Sequence, residues 1–248
     1  MTRIIILAAG KGTRMNSDLP KVLAPLNNRP MIKYLLDSVK VSGVDAHPIV
    51  VVSPDNKDII REELKGYNVE YVIQEKQLGT GHAVASTENA LSHNDSKPET
   101  LIVLFGDQPF VKAKSIKDFA NLHPTALTIM PTNLPDFNEW RQNFYHLGRI
   151  VRGADGQVEK ITEFKDASDE EKQISEINVG FMCFNTEWLF KNLSNLDNNN
   201  NKQEYYLTSL VNIAFAQGFA IDTYNIEPHE AMGINSLEEL NIAENLIS

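Results

Sequence analysis

Two glycines and three cations near the N-terminus form a pattern suited to phosphate binding. Gly10 and Gly12 flank Lys11, and Arg14 and Lys21 follow. Glycines let the backbone turn tightly and bring its N–H groups close to phosphate oxygens, where a Cβ would obstruct the approach. The chain as a whole has a formal net charge of −10. A cationic cluster on such an acidic chain favours a small anionic ligand over a nucleic acid, which usually meets a basic surface.

The glycine spacing fits neither of two common phosphate motifs. A P-loop needs Gly-x-x-x-x-Gly-Lys-Ser/Thr, and a dinucleotide fingerprint needs a third glycine where Arg14-Met15 stands here. An ordinary glycine turn between a strand and a helix is therefore an alternative on spacing alone. The flanking cations favour the phosphate-binding interpretation.

A carboxylate, Asp107, directly follows the apolar run at 101–105 and the turn residue Gly106. Doubly wound sheets place ligand chemistry at the carboxyl ends of such strands. Mg²⁺ prefers one or two protein oxygens together with phosphate oxygens and water, so one Asp assisted by a distant Asn amide oxygen is a sufficient site. A turn-stabilising role before Pro109 is the alternative for Asp107.

From residue 7 to residue 23 the sequence resembles the signature of the sugar-1-phosphate nucleotidylyltransferases. The resemblance is closest to the uridylyltransferase domain of the bifunctional N-acetylglucosamine-1-phosphate uridylyltransferases. Further motifs follow in the family's order over nearly the whole chain: QEKQLGTGHA at 74–83, GD at 106–107, GRIVR at 148–152, EIN at 176–178, EYYLT at 204–208 and GIN at 233–235. The resemblance implies a Mg²⁺-dependent enzyme that makes a UDP-sugar and pyrophosphate from UTP and N-acetylglucosamine 1-phosphate.

The resemblance also implies roles at matching positions. Arg14 would neutralise the leaving pyrophosphate and Lys21 would bridge the reacting phosphates, while Asp107 and Asn235 would hold the metal. The implied nucleotide-binding positions are Leu7, Ala8, Ala9, Gly10, Gly12, Thr13, Gln74, Gln77, Gly79 and Thr80. Amide, hydroxyl and close backbone groups in the second part of that set are the donors and acceptors that a uracil edge needs. The implied sugar-binding positions are Gly148, Glu163 and Asn178.

Simpler structural roles are open for several of these residues. Asn235 is suited to cap the last helix and Thr80 to cap the helix that follows Gly79. Glu163 has Lys165 nearby in sequence, and a surface ion pair between them is as reasonable as sugar binding.

Departures from the family pattern concern the acceptor more than the reaction. Phe105 stands where tyrosine is common, Leu147 where an aromatic residue is usual, Val179 where threonine is usual and Ser209 where aspartate is expected. The segment 133–147 also departs from the family. Another acceptor, such as glucose 1-phosphate or phosphocholine, therefore stays open. A nucleotide-binding module without turnover is a further alternative, against which the joint presence of the proposed phosphate and metal residues argues.

Hydrophobic runs alternate with helical patterns through the first half, which predicts an α/β fold with a Rossmann-like, doubly wound and mostly parallel sheet of the nucleotidyltransferase type. We expect strands at 4–7, 48–52, 69–73, 101–105, 126–130, 148–152, 158–164 and 177–184, and helices at 31–42, 55–65, 80–92, 112–122, 205–216 and 237–247. The 248 residues suffice for one domain, of which 1–131 would be mainly nucleotide-binding and 132–248 mainly sugar-binding, with a closing helix. We expect no hexapeptide-repeat acetyltransferase domain in this chain.

The remaining features set the expected environment. Cys183 is the single cysteine and lies in an apolar run, which predicts a buried core thiol in a reducing compartment. No run is long and apolar enough for a membrane span, so we expect a cytoplasmic protein. The asparagine-rich stretch 197–202 reads as a polar loop. The expected partners are UTP and a sugar 1-phosphate, with no nucleic acid and no membrane, and a homo-oligomer is left open.

Overall fold

The structure is a computed structural model that describes residues 1–10, 15, 19–92 and 97–246. Its strands are β1 (Thr2–Leu7), β2 (Pro25–Leu26), β3 (Arg29–Pro30), β4 (Ile49–Val52), β5 (Glu70–Ile73), β6 (Thr100–Phe105), β7 (Leu127–Asn133), β8 (Arg149–Arg152), β9 (Val158–Thr162), β10 (Glu176–Asn185) and β11 (Asp222–Thr223). Its α-helices are α1 (Met31–Ser42), α2 (Lys57–Glu63), α3 (Thr80–Ala85), α4 (Glu88–Ser92), α5 (Ala113–Ala120), α6 (Thr186–Leu193), α7 (Ser209–Ala216) and α8 (Leu237–Leu246). Short 3-10 helices cover Lys21–Leu23, Glu139–Phe144 and Glu171–Gln173.

One large sheet organises the molecule, with the strand order β11-β7-β10-β6-β1-β4-β5. Strands β6, β1, β4 and β5 run parallel, whereas β10 lies antiparallel between β6 and β7. Strand β8 pairs with the start of β10 and carries β9 at its other edge. The predicted α/β class with a doubly wound, mainly parallel sheet is confirmed, and β10 joins the later part of the chain to the same sheet.

Alternating side chains of the central strand face two hydrophobic layers. Ile4, Ile5 and Ile6 are all fully buried, as expected for a strand covered on both faces. Ile4 and Ile6 pack in the cluster that includes α1 and α5, while Ile5 packs in the cluster that includes α6 and α7. The apolar positions of one strand thus hold helices against both sides of the sheet.

The carboxyl ends of β1 and β6 open at the same edge of the sheet. Gly106 N donates to Leu7 O at 3.0 Å, and Ala8 N donates to Val51 O at 2.9 Å. These bonds bring the segment after β1 beside the turn that carries Asp107. The edge is therefore where residues from distant motifs meet.

Two predicted helices differ from the structure by more than two residues at one end or in their continuity. The predicted helix at 80–92 is divided into α3 and α4, and the helix predicted from 205 begins at Ser209. Tyr205 N donates to Leu78 O and Tyr205 O accepts from Gly81 N, each at 2.8 Å. These backbone groups bind a neighbouring segment and Leu207 and Thr208 form a turn, so the helix begins only at Ser209. Helix α6 and the short strands β2, β3 and β11 lack a clear sequence pattern and were not predicted.

Cys183 lies fully buried in β10, as predicted. Burial raises the pKa of its thiol to about 12, so the side chain acts as part of the core. Within the described ranges, none of the helices combines the length and apolar character that crossing a bilayer requires.

Candidate active site

Two cavities meet at the carboxyl edge of the sheet. The β1-side cavity has a volume of about 600 Å³ and is lined among others by Leu7, Ala8, Ala9, Gly10, Lys21, Gln74, Gln77 and Gly79. The β10-side cavity has a volume of about 250 Å³ and is lined among others by Gly148, Glu163, Asn178 and Asn235. Thr80, Phe105, Asp107 and Glu204 line both cavities. The structure therefore brings together the described members of the predicted nucleotide set on one side and the predicted sugar residues on the other.

Lys21, Asp107 and Asn235 form a compact cluster at the junction of the cavities. Lys21 Nζ is ion-paired with Asp107 Oδ2 and donates to Asn235 Oδ1 at 2.7 Å. Less than a fifth of the Lys21 and Asp107 side chains is exposed. The loops are fixed to each other because Ile234 N donates to Asp107 O at 2.9 Å. The ammonium of Lys21 and the side-chain oxygens of Asp107 and Asn235, which come from three separate motifs, therefore lie in contact.

The cluster has the chemistry of a small cation site. A carboxylate oxygen of Asp107 and an amide oxygen of Asn235 converge on the ammonium of Lys21, so both oxygens already face a positive charge. Hard oxygen ligands of this kind are those that Mg²⁺ prefers. Across the described ranges there is no cluster of three or more His, Cys, Asp or Glu side chains that could hold a metal ion. The residues present fit Mg²⁺ with two protein oxygens.

The capping role considered for Asn235 belongs to its neighbour. Ser236 Oγ accepts from Glu239 N at 3.2 Å, which is the usual cap at a helix start. The Glu239 carboxylate in turn accepts from Asn235 N. Helix α8 therefore begins with a reciprocal cap and holds the Asn235 backbone, while the Asn235 side chain contacts Lys21.

Two glutamine side chains shape the far wall of the β1-side cavity. Gln74 is buried, and its Nε2 donates to Gly79 O at 3.0 Å and lies 3.2 Å from His82 Nδ1. Gln77 Nε2 donates to Ala9 O, which ties the wall to the segment after β1. These two amides place polar groups on the wall of the β1-side cavity.

Gly79 is required by the backbone of this wall. Its φ is +110°, and a Cβ there would lie 2.7 Å from Tyr205 O. The cap considered for Thr80 is absent: α3 begins without a side-chain cap, and Thr80 Oγ1 accepts from Leu207 N at 3.0 Å. This bond holds the 204–208 segment against the start of α3, where Glu204 lines both cavities.

Glu163 supplies a partly buried carboxylate to the β10-side cavity. Its Oε1 accepts from Thr208 Oγ1 at 3.0 Å, so the carboxylate is bonded to Thr208 rather than paired with Lys165. Burial raises the pKa of Glu163, and the hydrogen bond from Thr208 opposes that shift. Burial and the nearby carboxylates of Glu163 and Glu204 also raise the pKa of Tyr206 to about 12. The cavity therefore presents acceptors to hydroxyl-bearing ligands.

Asn178 and Gly148 are held side by side. Asn178 N donates to Gly148 O at 2.9 Å, and Asn178 Oδ1 accepts from Gly180 N at 3.1 Å. Gly180 has a φ of +94°, and a Cβ there would lie 2.7 Å from the Phe105 ring. The turn at Gly180 lets Phe105 and Asn178 line the same wall.

Comparison with known proteins adds sequence evidence to this geometry. Residues 4–146 match the family model of the MobA-like NTP transferase domain. The chain belongs to this family. The match covers the segment after β1, the wall that carries Gln74 and Gln77, and Asp107, and it makes the protein a nucleotidyltransferase.

Relatives of this NTP transferase extend over its whole length. It is 39% identical over 241 residues to the bifunctional protein GlmU of Caldicellulosiruptor saccharolyticus, covering 97% of this chain and 50% of the relative. It is 38% identical over 247 residues to GlmU of Enterococcus faecalis, covering 98% of this chain and 51% of the relative. The chain thus spans about half the length of the curated relatives it matches. A solved UDP-glucose pyrophosphorylase in complex with UDP-glucose has the same fold, with a TM-score of 0.77 at 17% identity, covering 100% of this chain and 98% of that one.

Three predicted site residues of the NTP transferase, Gly12, Thr13 and Arg14, lie outside the described residues. The other predicted residues line one cavity or the other, and their roles remain predictions.

Sequence reasoning did not name several residues that line the β10-side cavity, among them Gln108 and Asn143. Gln108 follows Asp107 directly, and a long polar side chain between a buried strand and Pro109 was a signal in the sequence. Asn143 lies in the segment 133–147, where no motif marked it.

Proposed function

We propose that this chain transfers a uridylyl group from UTP to N-acetylglucosamine 1-phosphate, giving UDP-N-acetylglucosamine and pyrophosphate. The proposal rests on one observation. Two cavities with different linings adjoin at Asp107, and Lys21 and Asn235 lie beside that residue. A reaction between two phosphate esters needs such an arrangement, because both anions must be held in line at one charged point.

The β1-side cavity is assigned to UTP. Backbone groups at Leu7, Ala8, Ala9 and Gly10 lie beside Lys21, which supplies positive charge for the phosphates. The Gln74 and Gln77 amides stand at the other end, where a uracil edge requires paired donors and acceptors. Its volume of about 600 Å³ lies in the usual range for ligand pockets.

The β10-side cavity is assigned to the acceptor. The Glu163 carboxylate would accept from ring hydroxyls, and Asn178 would bind the hydroxyl or N-acetyl groups beside the Gly148 backbone. A Cβ at position 148 would lie 3.2 Å from Ile161 Cγ2 and 3.6 Å from Glu163 Oε2, so glycine keeps this backbone close to the Glu163 carboxylate. The 39% identity with GlmU over nearly the whole chain supports N-acetylglucosamine 1-phosphate as the acceptor.

The proposed step is a direct displacement. A phosphate oxygen of the sugar 1-phosphate forms a bond to the α-phosphorus of UTP, and the bond from that phosphorus to the bridging oxygen breaks. Pyrophosphate leaves with the electron pair. Lys21 would neutralise charge on the reacting phosphates, and Arg14 would do so for the leaving group. Positioning and charge neutralisation are the main resources for such a reaction.

Asp107 and Asn235 would hold Mg²⁺ in this proposal. A bound Mg²⁺ supplies charge neutralisation and orientation of phosphate oxygens. Lys21 is the group that faces those two oxygens in the structure, and it would then be available to the phosphates.

The experiment is pyrophosphate release by the purified chain with Mg²⁺, each nucleoside triphosphate and a panel of acceptors. The panel contains the 1-phosphates of N-acetylglucosamine, N-acetylgalactosamine and glucose, and phosphocholine. We expect release with UTP and N-acetylglucosamine 1-phosphate. Release with another pair would overturn the assigned substrates, and tight UTP binding without release from any pair would overturn the enzymatic proposal.

A matched pair of variants connects turnover to the proposed site. Lys21→Met removes the ammonium but keeps most of the side-chain length, and we expect it to reduce kcat by about 100-fold or more. Lys65→Met makes the same change at an exposed Lys–Glu pair on the surface and should leave kcat unchanged. Equal rates for the two variants would remove Lys21 from the mechanism.

A further inference from the structure

Two buried polar atoms in residues lining the β10-side cavity lack a hydrogen-bond partner within the described part of the chain. They are Gln108 Oε1 and Asn143 Nδ2. Leaving a buried donor or acceptor unsatisfied costs about 1–3 kcal/mol, so folded proteins retain few such atoms without a reason. One atom is an acceptor and the other is a donor.

The Gln108 amide is oriented by its surroundings. The side chain is 6% exposed, and its Nε2 donates to Val179 O at 2.7 Å and to Ala231 O at 3.5 Å. Both partners are carbonyl oxygens, so the network requires the amide nitrogen to face them. Oε1 is therefore fixed as the acceptor that remains.

Asn143 is held at the cavity by the 3-10 helix Glu139–Phe144. The next residue, Phe144, is 2% exposed and belongs to the hydrophobic core. The preceding residue, Gln142, is exposed. Asn143 is half-buried, and the anchoring of Phe144 in the core keeps it beside the cavity.

We propose that Gln108 and Asn143 determine specificity for the acceptor, with Oε1 accepting from it and Nδ2 donating to it. This inference rests on the proposed function, because it assumes that the β10-side cavity binds the acceptor. The pair selects a sugar 1-phosphate over phosphocholine. A sugar ring carries hydroxyl or acetamido groups that satisfy both atoms, whereas a quaternary ammonium offers neither an N–H donor nor an acceptor.

The physical reason for selectivity is the cost of an unpaired site. A pocket built to hydrogen-bond a substrate strongly rejects an analogue that lacks the bonding groups, because its own buried polar atoms are then left unsatisfied. The pair therefore discriminates by chemistry as well as by shape.

The test uses Gln108→Met and Asn143→Leu in the full chain, with KM measured separately for UTP and for each acceptor. Each variant should raise KM for the preferred sugar 1-phosphate by about 5- to 10-fold, as expected for one hydrogen bond, and leave KM for UTP unchanged. Asn143→Asp replaces the donor by an acceptor at nearly constant shape and should give at least the same increase. Each change should also reduce the preference for the sugar 1-phosphate over phosphocholine.

Two control variants separate this role from a structural one. Thr128 Oγ1 is another buried polar atom without a partner in the described ranges, but Thr128 lies in β7 and lines neither cavity. Thr128→Val should leave both KM values unchanged, as should Gln142→Ala beside Asn143. Thermal unfolding and an unchanged KM for UTP would show that the Gln108 and Asn143 variants are folded.

The proposal is overturned if KM for the sugar 1-phosphate does not change, if KM values for both substrates rise equally, or if the wild-type chain prefers phosphocholine. Preference for a sugar other than N-acetylglucosamine would overturn only the substrate named above, and the pair would then be tested with that sugar. If the wild type gives no turnover, calorimetric titration with N-acetylglucosamine 1-phosphate in the presence of UTP replaces KM. The same 5- to 10-fold weakening of Kd is then expected, and unchanged binding overturns the proposal.

Discussion

Replacing Asp107 by Asn tests the centre of the proposed site with little change in shape. The substitution removes the negative charge that faces Lys21 while Asn235 keeps its bond to the same ammonium. Two unit charges about 4 Å apart attract by about 4 kcal/mol at an effective dielectric constant of 20. The side chains are 17% and 18% exposed, so solvent screening and the cost of desolvation remove much of this energy.

We therefore expect Asp107→Asn to reduce the free energy of unfolding by only about 1 kcal/mol. In a chain of this size that corresponds to a decrease in Tm of about 2–4 °C. The effect on metal binding should be much larger, because one of two protein oxygens loses its charge. Even groups that only orient a metal ligand contribute about 10- to 100-fold to affinity, so we expect Mg²⁺ binding to weaken by at least about 100-fold.

Two measurements check this expectation independently. The first is pyrophosphate release against Mg²⁺ concentration, in which the variant should lose turnover at concentrations that saturate the wild type. The second is thermal unfolding with UTP present. Mg²⁺ at about 100 times its Kd stabilises a folded protein by about 2.7 kcal/mol. This should raise Tm of the wild type by about 5–10 °C and leave the variant almost unchanged.

Asp118→Asn is the matched control, because Asp118 also pairs with a lysine, Lys114, on the surface helix α5. This variant should retain both the Mg²⁺-dependent shift and turnover. If Asp107→Asn also retained them, Asp107 would not be a metal ligand and its pairing with Lys21 would be structural. If Asp107→Asn lowered Tm by much more than about 4 °C in the absence of Mg²⁺, the ion pair would contribute more to the free energy of unfolding than estimated above.

Two further substitutions test the walls of the cavities, and a third tests the buried side chain of Arg149. Glu163→Gln should raise Tm at neutral pH, because burial raises the pKa of Glu163 and the charged form is costly. The difference should shrink as pH falls through that raised pKa and vanish below the ordinary pKa of a glutamate. The same variant should raise KM for the sugar 1-phosphate by about 10-fold, and an unchanged KM would place Glu163 outside acceptor binding. Gly79→Ala should lower Tm by about 4–8 °C and raise KM for UTP. The reason is that the new Cβ would meet Tyr205 O and that the positive φ adds about 1–3 kcal/mol of strain. A normal Tm would show that the turn adapts to alanine. Arg149→Met should cost about 3 kcal/mol by leaving backbone carbonyls unpaired, measured by urea unfolding, and a loss below about 1 kcal/mol would show that water replaces the guanidinium.

Arg149 also shows how a family motif can have a structural basis. The guanidinium is fully buried and has no carboxylate partner among the described residues. It lies 5.0 Å from the Phe137 ring centroid and 5.6 Å from that of Tyr145. It donates to the carbonyl oxygens of Leu147 and Tyr145, and desolvation lowers its pKa. The Arg149 side chain therefore holds the end of the segment 133–147, which carries Asn143 and Leu147, against β8.

Much of the fold could be predicted from local sequence patterns. Continuous apolar runs predicted strands buried on both faces, and 3.6-residue periodicity predicted α1, α5 and α8 within a few residues. These signals depend on neighbouring residues, so the sequence carries them directly. The antiparallel insertion of β10 between β6 and β7 could not be obtained in this way, because strand order depends on contacts between distant segments.

The sequence by itself determined which residue types are available for phosphate, metal and sugar chemistry, and in which order they occur. Only the tertiary structure decided which of them meet. Lys21 and Asn235 are 214 positions apart and are joined because parallel strands deliver their loops to one edge of the sheet. In the structure, Glu163 accepts a hydrogen bond from Thr208, and Thr80 accepts one from Leu207 N. Gln108 and Asn143 each keep one side-chain atom without a hydrogen-bond partner among the described residues. Hydrogen bonding depends on distance and direction in three dimensions, so a one-dimensional pattern could identify these groups but could not assign their partners.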